Sequence, residues 1–125
     1  MTKTRNVMDT EICKYIEATP GMKVTMLKKL EATQIPGRMH DSLVRWVTEG
    51  RVSGHFLTAV LTNDLKEAVA RADDENANAL RDYVLFLYNN VPAGCFGSPE
   101  RVTRWADMWE AYREEKLAKT ETKEG

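Results

Sequence analysis

Asp64 and Arg71 are the pair of residues in this chain whose types and positions most directly suggest chemistry. Projected at 100° per residue over a helix from Ser53-Gly54 to about Ala72, Leu57, Val60, Leu61, Leu65, Ala68 and Ala72 share one apolar face. Asp64 and Arg71 fall in the middle of that face, with Asn63 and Glu67 beside it. A carboxylate and a guanidinium turned inward each cost several kcal/mol unless they are paired or hydrogen-bonded. The following helix repeats the pattern: Leu80, Tyr83, Val84 and Leu87 form its stripe, and Asp73 and Asn76 project onto its N-terminal end. Three readings remain open for Asn63, Asp64, Glu67, Arg71, Asp73 and Asn76. They form a buried structural network, or a cleft that binds a ligand or partner through polar groups on an apolar wall, or a catalytic site with Asp64 as general base. No nucleophile, metal-ligand cluster or phosphate-cradling glycine loop accompanies them. The chain therefore reads as non-enzymatic, with no catalytic residue, no metal and no cofactor.

Two helix starts are candidate anion sites, because free backbone N–H groups and the helix dipole favour negative charge there. One is at Gly54-His55 and the other at Gly97-Ser98, although Ser53 and Ser98 also suit plain helix caps. The loop Gly94-Cys95-Phe96-Gly97 carries a thiol that reads better as a small buried side chain than as a nucleophile. Cys13 and Cys95 are 82 residues apart with no CxxC or Cys/His spacing, and His40 and His55 have no companions at ligand spacing.

The elements that must position these residues follow from the breakers. Met8–Ala18 predicts an amphipathic helix with Ile12, Tyr15 and Ile16 on one face, ended by Thr19-Pro20-Gly21. Val24–Thr33 predicts a second, with Val24, Leu27 and Leu30 in phase, and Met39–Thr48 a third, with Leu43, Trp46 and Val47 inward and Gly50 closing it. The fourth helix runs to about Ala72. The acidic run Asp73-Asp74-Glu75 either ends it or opens a fifth helix that reaches Asn89. A sixth opens at Ser98-Pro99-Glu100, where serine caps, proline takes the first helical position and glutamate favours the positive end. It carries Trp105, Trp109 and Tyr112 at core spacing. Leu85 and Phe86 make the fifth helix apolar nearly all round, so it is central or one side meets another copy of the chain. The expected fold is all-α: a compact single-domain bundle of five to six helices over residues 1–118, with 9–33 helix-turn-helix-like, 38–118 the helical core and 119–125 a disordered tail.

The chain has 125 residues, 42% of them hydrophobic, enough for one core and little more. Its 18 basic and 19 acidic residues leave a net charge of −1 with no polybasic segment, which disfavours nonspecific binding to nucleic acid or a membrane surface. No apolar run approaches bilayer length, and the N-terminus lacks the apolar stretch of a secretory signal.

Residues 9–33 look like the opening of a helix-turn-helix or winged-helix regulator, with Arg38, Met39, His40, Asp41, Ser42 and Arg45 as the recognition face. That face mixes two arginines with an aspartate, and the hairpin a winged helix needs is replaced by another helix. A broader resemblance covers residues 42–105. It rests on Ser42-Leu43, Gly50, the run Gly54-His55-Phe56-Leu57-Thr58-Ala59-Val60-Leu61-Thr62-Asn63-Asp64-Leu65, then Ala68, Arg71-Ala72-Asp73, Tyr88-Asn89, Pro92 and Gly97-Ser98-Pro99-Glu100. This pattern resembles a set of small proteins of tailed bacteriophages and prophages. The resemblance implies a setting, the cytoplasm of an infected bacterium, rather than a chemistry. The expected function is that of a phage accessory protein acting by binding, which antagonises a host defence by masking a host protein or sequestering a small nucleotide signal. A DNA-binding transcriptional regulator using the N-terminal helices is the alternative, and a small hydrolase comes third.

Overall fold

The computed structural model describes residues 21–52 and 54–124, with side chains through Leu117. The helix expected over Met8–Ala18, Cys13 and the capping role of Ser53 lie outside the described residues. Among the described residues there are seven α-helices and no strand, so the all-α class holds. They are α1 (21–31), α2 (His40–Glu49), α3 (His55–Leu61), α4 (Leu65–Arg71), α5 (Asp74–Asn78), α6 (Leu80–Asn90) and α7 (Pro99–Glu124). Single 3-10 turns occupy Gly37–Met39 and Ala93–Cys95. No hairpin follows α2, so the described residues do not form a winged helix.

One cluster of buried side chains joins the helices. Met26 and Leu30 of α1, Leu43, Trp46 and Val47 of α2, and Leu57 and Leu61 of α3 meet Tyr83, Phe86 and Leu87 of α6 and Trp105 and Trp109 of α7. Three contacts lock this arrangement through polar atoms. Trp46 Nε1 donates to the Cys95 carbonyl at 2.8 Å, Trp105 Nε1 donates to the Trp46 carbonyl at 3.1 Å, and the Gly97 N–H donates to the Leu61 carbonyl at 2.8 Å. The Arg113 guanidinium also donates to the Glu49 carbonyl, meeting one of the acceptors left open at the end of α2.

The largest departure from expectation is that the fourth helix is two helices. Asn63 takes a left-handed conformation, φ +66°, and ends α3. Its N–H donates to the Val60 carbonyl at 3.2 Å, and the Asp64 N–H donates to the Ala59 carbonyl at 2.8 Å, the paired bonds of a Schellman stop. Asp64 then caps α4 by accepting the Glu67 N–H at 3.2 Å. The two helices no longer share one phase, and Leu65, expected inward, is 71% exposed. The expected fifth helix is likewise divided at Ala79 into α5 and α6.

Helix α6 turns Tyr83, Phe86 and Leu87 inward, with Ala79 just before it, and leaves Val84 58% exposed, together with Leu85 and Tyr88. The helix is therefore not apolar-buried all round. In α1 the inward face is Met22, Met26 and Leu30, while Val24 and Leu27 point out. The expected disordered tail is also corrected, because α7 continues to Glu124. Its last turns contain no glycine or proline before Gly125, and Lys and Glu are good helix formers. Leu117 is exposed, so the end of α7 adds little to the core. A truncation after Ala118 is expected to melt within about 3 °C of the full chain, in line with other surface changes. A larger drop in a calorimetric scan would show that the end of α7 packs against something.

Candidate functional site

The split between α3 and α4 redistributes the residues on which the expected site was built. Asn63 and Asp64 serve as the stop and start of consecutive helices, and Asp64 does not meet Arg71. Arg71 lies on the exposed side of α4 and bonds Glu67 one turn earlier, Nε to Oε1 at 2.7 Å. Asp73 caps α5 by accepting the Asn76 N–H at 2.8 Å, and its other oxygen accepts from Arg38 at 2.6 Å. Arg38 also reaches Glu75 at 3.0 Å. The buried Asp64–Arg71 pair is thus corrected to two local, solvent-facing arrangements. Asp64→Ala is expected to cost roughly 1 kcal/mol, the value of a helix cap. Arg71→Ala should cost no more than about 1 kcal/mol, because the ion pair is half exposed and screened. Urea titration of both variants checks the order of the two effects.

Of the inward-pointing polar residues expected, Asn76 is the one the fold buries, at 6% exposure. Tyr83 donates its hydroxyl to Asn76 Oδ1 at 2.7 Å, and its ring packs edge-on against Phe56 at 5.2 Å. Burial pushes the Tyr83 phenol well above the ordinary tyrosine range, with Arg38 opposing and Asp73 adding to the shift. The phenol therefore stays protonated and remains the donor in this bond. Asn76 Oδ1 is the acceptor of this bond, and Asn76 also lines a groove.

This groove, about 540 Å³, lies where α2, α3, α4 and α5 converge. Met39, Phe56 and Leu57 supply its apolar wall, and Ser42, His55, Arg71 and Asn76 its polar groups, with Gly54 at the edge. Four residues singled out in the sequence, Gly54, His55, Arg71 and Asn76, are brought together here. Asn63, Asp64, Glu67 and Asp73 are not in its lining, but Glu67 and Asp73 hold the neighbouring arginines in place. Gly97 and Ser98 lie elsewhere and have their own partners. Ser98 Oγ accepts the Arg101 N–H at 3.2 Å as the cap of α7, and Gly97 donates to Leu61.

Sequence reasoning missed Met39 and Ser42 as groove residues and Arg38 as the partner of Asp73, because each meets its neighbours only when separate helices pack, Arg38 across 35 positions of chain. It also missed a local signal. Asn63-Asp64 followed by Glu67 is a helix stop joined to a capping pattern, readable without any tertiary information.

The Cys95 thiol is fully buried, and burial pushes it up to about 12, against smaller opposing effects of hydrogen bonds from the backbone and Trp46. A thiol so protonated is no nucleophile near neutral pH. Among the described residues no group of three or more His, Cys, Asp or Glu side chains is placed to hold a metal ion, and no helix is long and apolar enough to cross a membrane. The exposed face expected for DNA recognition is largely engaged: Arg38 is held by Asp73 and Glu75, His40 Nε2 lies 2.9 Å from the Ile35 carbonyl, and Arg45 lies 3.9 Å from Glu49. No protein family, curated protein or solved structure matches the chain.

Proposed function

We propose that this protein acts by binding rather than by chemistry, as an accessory protein of a tailed phage or prophage that antagonises a host system in the bacterial cytoplasm. The observation that supports binding is the distribution of polar atoms in the α2–α5 groove. Arg71, through the guanidinium nitrogens that Glu67 does not hold, lines it together with His55, Ser42 and Asn76, and the nearby carboxylates Asp64 and Asp73 are engaged in a cap and in an ion pair with Arg38. Such a surface receives an anionic group, from a small nucleotide that the protein sequesters or from an acidic segment of a host protein that it masks. The setting rests on the resemblance of residues 42–105 to phage proteins.

Arg71 is a clean probe because its removal costs little stability. Thermal-shift titration of the full chain with a panel of nucleotides is expected to show a saturable rise with one class, lost in Arg71→Ala and with the nucleotide recovered intact. A host protein retained by the parent and released by Arg71→Ala supports the masking form of the same reading. Conversion of the nucleotide, steeply salt-dependent binding to duplex DNA, or binding indifferent to Arg71→Ala overturns it.

A further inference from the structure

A second groove, about 380 Å³, lies between the 3-10 turn at Ala93–Cys95 and the first three turns of α7. Its floor is Trp105 and Met108, both buried, and its facing wall is Pro92-Ala93-Gly94. Arg101 and Arg104 stand at the rim, three residues apart and so on the same side of the helix. Arg101 is positioned by one bond, Nη1 to the Ala93 carbonyl at 3.3 Å, which leaves its other donors available. Arg104 makes no ion pair or hydrogen bond among the described residues, although Glu100 and Asp107 share its helix. Two guanidinium groups thus overhang an apolar slot, and among the described residues no carboxylate pairs with either.

We propose that this groove is a binding site for a small phosphomonoester with a planar or apolar body, its phosphate held between Arg101 and Arg104 and its body lying over Trp105 and Met108 against Pro92. Charge selects phosphate over carboxylate. A phosphomonoester carries about −1.5 to −2 near pH 7, which matches two guanidinium groups, whereas a carboxylate carries one charge. Volume sets the scale: about a dozen water volumes at ~30 Å³ each, room for one compact molecule and not for an extended chain. The site is separate from the α2–α5 groove and does not depend on it.

Gly94 provides a steric test. A Cβ built there meets nothing within 4 Å, its backbone is not in the left-handed region, and Gly94 lines the groove, so a larger side chain at this position is expected to take up groove space. Calorimetric titration of the full chain with phenyl phosphate and adenosine 5′-monophosphate, and with inorganic phosphate as a control, tests the proposal. At least one of the two esters is expected to bind at one site, tenfold or more tighter than inorganic phosphate. Arg104→Gln should weaken that binding at least tenfold, and Gly94→Leu should abolish it, both with unfolding temperatures close to the parent. Arg71→Ala should leave it unchanged, which separates this site from the one above. Absence of ester binding at millimolar concentration, equal affinity for inorganic phosphate, or binding that survives both Arg104→Gln and Gly94→Leu overturns the proposal.

Discussion

Trp46→Ala is expected to lower the unfolding free energy by about 4 kcal/mol or more, a large share of the 5–15 kcal/mol typical of a domain. Trp46 is fully buried, and its side chain fills the space where α2, the 3-10 turn at Ala93–Cys95 and α7 meet. Removing the indole leaves a cavity worth roughly 3–5 kcal/mol. It also leaves the Cys95 carbonyl without its donor, and a buried unpaired acceptor adds roughly 1–3 kcal/mol. Trp46→Phe separates the two contributions: it restores much of the volume and none of the hydrogen bond, so about 1–3 kcal/mol should remain. Urea denaturation of both variants measures this. A Trp46→Phe variant as stable as the parent would show that the Cys95 carbonyl finds another partner, and that the bond is not what ties the turn to α2.

Gly50→Ala should be nearly as damaging, by roughly 2–5 kcal/mol, for two reasons that add. Gly50 ends α2 in the left-handed region, φ +70°, where an L side chain costs about 1–2 kcal/mol. It also lies against Trp109 so closely that a Cβ would sit 2.7 Å from the Trp109 Cβ and 2.8 Å from its Cδ1. Trp109 is itself buried, so α2 and α7 must separate, an overpacking strain of roughly 1–3 kcal/mol. Gly50→Asn distinguishes the causes, since asparagine tolerates the left-handed conformation but still carries a Cβ. It is expected to remain destabilised by roughly 1–3 kcal/mol. Parent-like stability of Gly50→Asn, read from the same urea titration, would mean that Trp109 yields without cost and that backbone conformation alone requires the glycine.

Both substitutions fall where local sequence signals and tertiary contacts coincide, and elsewhere the two part company. The all-α class, the extent of α2, its closure at Gly50 and the Ser98 cap of α7 were legible in the sequence alone. Each is set by interactions within a few residues: apolar spacing near 3.6, a glycine able to adopt positive φ, and a serine oxygen accepting an N–H three residues on. Asn63-Asp64 was legible in the same way, but a run of apolar residues on both sides let a continuous helix look natural across it.

Phase was what the sequence left open. In α6 the residues Tyr83, Val84, Phe86 and Leu87 offer more than one apolar stripe, and the inward choice of Tyr83 and Phe86 over Val84 depends on Phe56 and Asn76 waiting opposite. The grooves were beyond local reading for the same reason. Ser42 and Arg71, or Gly94 and Arg104, become neighbours only when separate helices pack. The sequence by itself determined that the chain is helical, that α2 closes at Gly50 and that α7 opens at the Ser98 cap, because hydrogen bonds within a helix and its caps are local. The tertiary structure decided which face of each helix points inward and which charges are left over at the surface, because burial is a property of the whole packed chain.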